Sequence, residues 1–213
     1  MFIVFEGGDG CGKTSAIEYV KNKINEFYPC TVFTDWYGEE GQKVKQTFVT
    51  TNFTDEERLQ IVSQCRQNAL QEMQKAEQHS IILYDRFILS TYAYQSVLGI
   101  GKLPVFTVMN AVKQSLKDYD EPNLHIIIRG VDYDTQQRRI ANRSKQDVFD
   151  YMPRDKYEKL QKFYQQEAKK VLTLHLKNPK LIMSIDNTGS LQDLYQQLDN
   201  VVNFVSRSMI YAS

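Results

Sequence analysis

Residues 7–14 read Gly7-Gly8-Asp9-Gly10-Cys11-Gly12-Lys13-Thr14, the spacing G-x-x-x-x-G-K-[ST]. That spacing suits one task, holding the phosphates of a nucleoside triphosphate. The glycines let successive backbone N–H groups turn inward as an anion nest. A helix opening near Lys13 aims the positive end of its dipole at the same point. Lys13 can reach the outer phosphates, and the Thr14 hydroxyl can bind Mg²⁺. The loop does not name a reaction, because switches, motors and kinases all carry it.

A second constellation follows the apolar run at residues 80–84, which ends in Asp85-Arg86-Phe87. Ligands of open α/β sheets gather at the carboxyl ends of strands. An acid there can hold the hydration shell of Mg²⁺, and a guanidinium can clamp a second phosphate bidentately. A third set, Arg138, Arg139, Arg143 and Lys145, crowds cations into a short stretch ahead of a long helical pattern opening near Pro153. Phosphoryl transfer needs cations where negative charge spreads in the transition state. A basic flap that closes over the site can supply them and expel water.

These residues must be positioned by a sheet. Five short apolar runs rich in β-branched residues, at 2–5, 31–34, 80–84, 124–128 and 181–185, alternate with helical patterns. Runs of this kind suit strands buried on both faces. The alternation predicts a five-stranded parallel sheet with helices on both faces. Ile17, Val20, Ile24 and Phe27 make one helical stripe. Thr54 and Glu57 form a capping-box pair opening a helix that carries Leu59, Val62, Leu70 and Met73. Pro104 suits the first residue of another helix, and Ser190 caps a last one bearing Leu191, Leu194, Leu198 and Val202.

The chain has 213 residues, the size of one α/β domain over residues 1–213, with the basic segment at about 138–152 as a short lid. Lys+Arg and Asp+Glu both number 26, so no basic excess points to nucleic acid. No apolar run approaches the roughly 20 residues of a membrane helix, and the N-terminus lacks a signal-peptide pattern. Cys11, Cys30 and Cys65 show no metal-binding spacing and suit a reduced, cytoplasmic setting. His79, His125 and His175 lie far apart in sequence and read as ordinary surface or half-buried residues.

The stretch Asp85-Arg86-Phe87-Ile88-Leu89-Ser90-Thr91-Tyr92-Ala93-Tyr94-Gln95 closely resembles the D-R-[YFH]-x-x-S-T-x-A-Y-Q signature of thymidylate kinases. More weakly, the resemblance extends over nearly the whole chain. Pro122-Asn123-Leu124 opens the fourth strand as the family's P-D-L does, and Arg139, Arg143, Asp147 and Asp150 match the spacing of its lid. It implies the nucleoside monophosphate kinase fold and ATP-dependent phosphorylation of dTMP with Mg²⁺, by a homodimer paired through helices beside the third strand. Arg66 then bonds to the thymine base, Asp9 to the sugar 3′-hydroxyl, and Arg86 to the acceptor phosphate. Tyr94 packs under a sugar that has no room for a 2′-hydroxyl, and Ser90 and Gln95 add polar contacts to the base. Arg138 or Arg139 stacks on adenine, opposite the loop after Ile185. Asp9-Gly10 resembles the variant of the family that carries its catalytic arginines in the lid, with Arg143 first and Arg139 second.

Two departures bear on specificity. Residues 34–41 lack the arginine the family carries after its second strand, so that one clamp on the acceptor phosphate is lost or Lys45 replaces it as a point charge. Val62 stands where the family stacks a phenylalanine on thymine, leaving the base held less firmly or stacked on by Trp36 or Tyr37. The nearest rival readings are a kinase for another deoxynucleoside monophosphate and a deoxynucleoside kinase using Glu39 or Glu40 as general base. A GTPase switch reading Asp186-Asn187-Thr188-Gly189 as D-x-x-G is more remote, since that segment falls too late in the chain.

Overall fold

The apolar runs form five strands: β1 (Phe2–Glu6), β2 (Cys30–Thr34), β3 (Ile81–Asp85), β4 (Leu124–Arg129) and β5 (Ile182–Asp186). Each lies within one residue of its expected start and end. All pair in parallel in the order β2-β3-β1-β4-β5. The computed structural model describes residues 1–97, 104–142, 152–175 and 181–210.

Helices α1 (Lys13–Asn25), α2 (Gly38–Thr50) and α3 (Asp55–Glu77) lie between the first three strands. Next comes α4 (Ile88–Tyr92), which runs into a π-helical turn at Ala93–Val97, and then α5 (Val105–Ser115) and α6 (Tyr133–Ala141). The helix α7 (Arg154–Lys162) continues through a second π turn, Phe163–Glu167, into α8 (Ala168–His175), and α9 (Leu191–Ile210) ends the described chain.

Alternate residues of each strand feed opposite layers. Ile3 and Phe5 of β1 pack with Ile17, Val20 and Ile24 of α1 and Leu194 and Leu198 of α9. Phe2 and Val4 pack on the other face with Leu70 and Met73 of α3 and Leu160 and Phe163 of the α7–α8 helix. Each such side chain, fully buried, stabilises the fold by about 1.5–3 kcal/mol. The capping box at Thr54 and Glu57 is present in both directions, and Ser190 and Asp193 cap α9 reciprocally.

Three local expectations shift. Helix α1 stops at Asn25, so Phe27 falls outside the stripe and is exposed. Leu191 sits in the first turn of α9, also exposed. Pro104 is the cap before α5 rather than its first residue.

His125 is fully buried in β4, and neither ring nitrogen has a hydrogen-bond partner among the described residues. Burial lowers its pKa from 6.5 to about 4. The unfolded chain therefore takes up this proton below about pH 6.5, while the folded chain resists it until about pH 4. Stability from this group is complete above pH 6.5 and falls as the pH drops through that window, by up to about 3 kcal/mol. His125→Leu should flatten this acid limb and leave Tm at pH 7.5 equal or higher, because two unsatisfied polar atoms are removed. Thermal melts of both proteins at pH 5 and 7.5 check this. An unchanged acid limb would place the sensitivity elsewhere.

Candidate active site

The central strand β1 runs directly into the glycine-rich loop, and α1 begins at its lysine. Gly10 and Gly12 both adopt positive φ, at 73° and 91°. A Cβ at Gly12 would lie 2.3 Å from Asn187 Nδ2, and one at Gly10 would lie 2.6 Å from Gln136 Cγ of α6. The loop thus turns under close cover, and at Gly10 the space beside the backbone is already filled from α6. Asn187 follows β5 and donates from Nδ2 to the Cys11 carbonyl at 2.7 Å, which ties the last strand to the loop. Lys13 is 7% exposed, and its ammonium donates to the Gly7 and Gly8 carbonyls at 3.0 Å each.

The parallel register sets Phe5 beside Asp85, so the carboxyl end of β3 meets the loop. Asp85 Oδ1 is buried without a hydrogen-bond partner among the described residues, and Asp85 and Thr14 line one cavity. An unpaired carboxylate oxygen and a hydroxyl at the phosphate loop fit Mg²⁺, which takes few protein ligands and completes its shell with phosphate and water.

Arg86 has φ 66°, the left-handed region that side chains rarely enter. Its Nη1 donates to the Gly7 carbonyl at 3.0 Å, and Nη2 pairs with Asp9. The guanidinium lies 5.4 Å from the centre of the Tyr94 ring, and the Tyr94 hydroxyl donates to Asp9. Burial is the largest influence on Arg86 and opposes its charge, but Asp9, Tyr94, Tyr164 and Asp85 together more than offset it, so its pKa is raised well above the ordinary value. Ser90 stands at the same end: its hydroxyl donates to Glu6 Oε2 at 2.6 Å and lies 3.5 Å from Arg86 Nη1.

From this cluster a cavity of about 350 Å³ runs along α2, α3 and α4. Lys45, Val62, Thr91, Tyr94 and Gln95 line it, as do Asp35, Trp36, Phe48 and Arg58. Trp36 is the aromatic residue of the β2–α2 loop that faces the cavity. Its backbone is held by Thr34 Oγ1 and Gln42 Nε2. Tyr37 instead packs at a tilt on Phe33, with ring centres 4.2 Å apart, and is 40% exposed. Gln95 is buried, and its Oε1 has no partner among the described residues.

Arg66 is 0% exposed. Its Nε and Nη2 form a fork on Asp35 at 3.0 and 2.7 Å, and Nη2 also donates to Thr91 Oγ1 at 2.6 Å. The Tyr84 hydroxyl donates to the same carboxylate at 2.8 Å. Only Nη1 is without a partner among the described residues. Within residues 34–41, where the family carries a further arginine, this chain thus places the acid that orients Arg66.

Phe48, Arg58 and Glu6 were not expected from the sequence. Arg58 lies 5.1 Å above the Phe48 ring and donates to the Thr51 and Phe53 carbonyls at 3.2 and 3.3 Å. The spacing of Arg58, Val62 and Arg66 at i, i+4 and i+8 sets them on one face of α3, and that periodicity is the signal that could have found Arg58. Glu6 is 0% exposed at the end of β1 and gave no such signal.

On the donor side, Arg139 of α6 reaches the loop after β5, with Nη1 and Nη2 3.4 Å from the Asn187 and Gly189 carbonyls. Arg138 turns back on its own helix, to Asp134 O and Thr135 Oγ1. Arg143, Lys145, Asp147 and Asp150 lie outside the described residues. Glu39 and Glu40 are exposed in the first turn of α2, away from the cavity lining.

The thymidylate kinase family model matches residues 5–184. The thymidylate kinase of Mycoplasma capricolum is 28% identical over 210 residues, covering 95% of this chain and 94% of that one. That of Thermoanaerobacter sp. is 26% identical over 210 residues, covering 94% and 96%. A probable thymidylate kinase of Methanococcus vannielii is 28% identical over 145 residues, 68% of each chain. The crystal structure of the Ehrlichia chaffeensis thymidylate kinase superposes with a TM-score of 0.65 over 95% of this chain and 98% of that one, at 20% identity.

Proposed function

The chain belongs to the thymidylate kinase family, and from that premise we propose how its residues divide the work. The protein is an ATP-dependent kinase that phosphorylates dTMP to dTDP. The glycine-rich loop and Lys13 hold the donor phosphates. Arg86 clamps the acceptor phosphate, with Lys45 as a further point charge. Asp9 takes the sugar 3′-hydroxyl over the Tyr94 ring. Arg66 and Gln95 read the base, Trp36 stacks on it in place of an aromatic at Val62, and Ser90 supports Arg86 from the phosphate end. Thr14 and Asp85 would hold Mg²⁺, which when bound neutralises charge on the transferred phosphoryl group. Arg143 is the main lid cation, with Arg139 second. Arg139 also faces the adenine side by way of the loop after β5, where Arg138 is the alternative.

One observation carries this division: a single cavity runs from Lys13 and Thr14 past Arg86 to Val62 and Gln95. We read Lys13 and Arg86 at one end as the centres of two phosphate sites, and Trp36, Phe48 and Val62 at the other as the apolar part of a base site. The deoxynucleoside kinase reading needs a base beside the 5′-hydroxyl, and Glu39 and Glu40 do not line the cavity. The switch reading loses Asp186 to an ion pair with Arg129 at 2.6 Å and Asn187 to the Cys11 carbonyl. With ATP and Mg²⁺, turnover should appear with dTMP and be absent with thymidine. Thymidine as the better acceptor would overturn the assignment of Arg86.

We further propose a cytoplasmic homodimer. The three cysteines are free, and no helix among the described residues is long and apolar enough to cross a membrane. A groove between α3 and α5, where Leu59, Ile61 and Ala111 lie among polar residues such as Gln64 and Gln114, supports a second copy there.

A further inference from the structure

Glu6 ends β1 and is immediately followed by the first glycine of the phosphate loop. Its side chain does not serve that loop. Oε1 accepts from the backbone N–H groups of Phe87 and Leu89, both at 2.9 Å, and Oε2 accepts from the Ser90 hydroxyl at 2.6 Å. These donors belong to the cap and first turn of α4, just after β3 and more than 80 residues away in sequence. Two of them are N–H groups at the start of α4, which have no partner inside the helix.

That turn needs an external hold. Arg86 sits at φ 66°, which costs a side-chain-bearing residue about 1–2 kcal/mol. The next residue, Phe87, is also irregular, at φ −135° and ψ −133°. Arg86 in turn reaches back, bonding the Gly7 carbonyl and Asp9. Glu6 thus grips the turn, and the turn grips the loop that follows Glu6. The two halves of the site, donor and acceptor, are closed into one clasp.

We propose that Glu6 is a positioning residue for the phosphoryl transfer: its carboxylate holds residues 86–90 in the conformation that aims Arg86 at the acceptor phosphate. This rests on the reading of Arg86 as the acceptor clamp. Glu6 is fully buried and does not line the cavity. A misplacement of about 1 Å in a clamp costs on the order of 10²-fold in rate.

A double-mutant cycle on acceptor kinetics tests this. Glu6→Ala should raise the dTMP KM about tenfold and lower kcat about 10²-fold, with the ATP KM within about threefold of wild type. In an Arg86→Ala background the same change should add little, because the clamp it positions is gone. Where Glu6→Ala does not fold, Glu6→Asp decides the matter: it keeps the charge, is one methylene too short to reach all three donors, and should show a smaller loss with the same non-additivity. Losses that multiply in the double variant, or an ATP KM that moves as far as the dTMP KM, would reduce Glu6 to a structural residue. An Arg86→Ala single variant with unchanged dTMP kinetics would instead overturn the reading of Arg86 itself.

Discussion

Lys13→Ala is expected to lower kcat by about 10³-fold or more while leaving Tm within a few degrees of wild type. The asymmetry follows from the geometry. Lys13 is 7% exposed, and its ammonium bonds the carbonyls of Gly7 and Gly8 at 3.0 Å. Two hydrogen bonds from a charged donor contribute roughly 1.5–3 kcal/mol each, and the cost of burying the ammonium offsets most of this. Removing them therefore changes stability little. The same ammonium acts on the triphosphate within a water-poor loop, where a fixed cation is worth far more than in solvent. Affinity for ATP should fall less than kcat, because charge on the transferred group grows toward the transition state. Steady-state kinetics with dTMP, a thermal melt and ATP titration calorimetry together check this. A folded Lys13→Ala protein with near wild-type kcat would contradict the role given to the loop.

The loop was legible in the sequence because its chemistry restricts residue type at each position. Backbone N–H groups can converge on phosphate only where Gly10 and Gly12 take positive φ, and a strand and a helix must flank them. The five strands were legible for a similar reason, since burial on both faces leaves short continuous apolar runs. Pairwise wiring across the chain was not legible. Nothing local to Arg66 says that Asp35 and Tyr84 fix its orientation from 31 and 18 positions away. Glu6 reads as the polar end of a strand, and its task appears only when β3 is set beside β1. The contact of Gln136 with Gly10 likewise needs α6 laid over the loop. Trp36 and Tyr37 were equal candidates for stacking, because adjacent loop residues have no periodicity to tell them apart. Packing separates them: Tyr37 is taken by Phe33.

Among acceptors, dCMP should be rejected far more strongly than dUMP, with kcat/KM about 10³-fold or more below dTMP against about tenfold for dUMP. Two buried atoms without partners carry the argument: the donor Arg66 Nη1 and the acceptor Gln95 Oε1. Thymine and uracil present a carbonyl at position 4 and an N–H at position 3, which answer a donor and an acceptor. Cytosine presents an amino group and a bare nitrogen, the reverse order. The Gln95 carboxamide can turn to offer its NH₂ to that nitrogen. The guanidinium cannot adapt, since it has no acceptor atom and Asp35 and Thr91 hold its orientation. A cytosine amino group would therefore face a donor in a buried site. The methyl of thymine is worth less, because losing one apolar group costs only about 1–3 kcal/mol and the wall there is Val62 rather than an aromatic ring. Arg66→Ala is a poor test: it leaves the largely buried Asp35 charge without its cation and with the Tyr84 hydroxyl as its remaining donor, at a cost of about 3–5 kcal/mol in stability. Gln95→Ala is the sharper one. It should raise the dTMP KM about tenfold and leave the dTMP-to-dCMP ratio within about threefold of wild type, because the fixed guanidinium carries the discrimination, with the ATP KM unchanged. The measurement is kcat/KM for dTMP, dUMP and dCMP, with UMP as the ribose control against the Tyr94 ring. If dCMP comes within tenfold of dTMP in the wild-type enzyme, Arg66 and Gln95 do not read the base edge, and the pocket selects by shape alone.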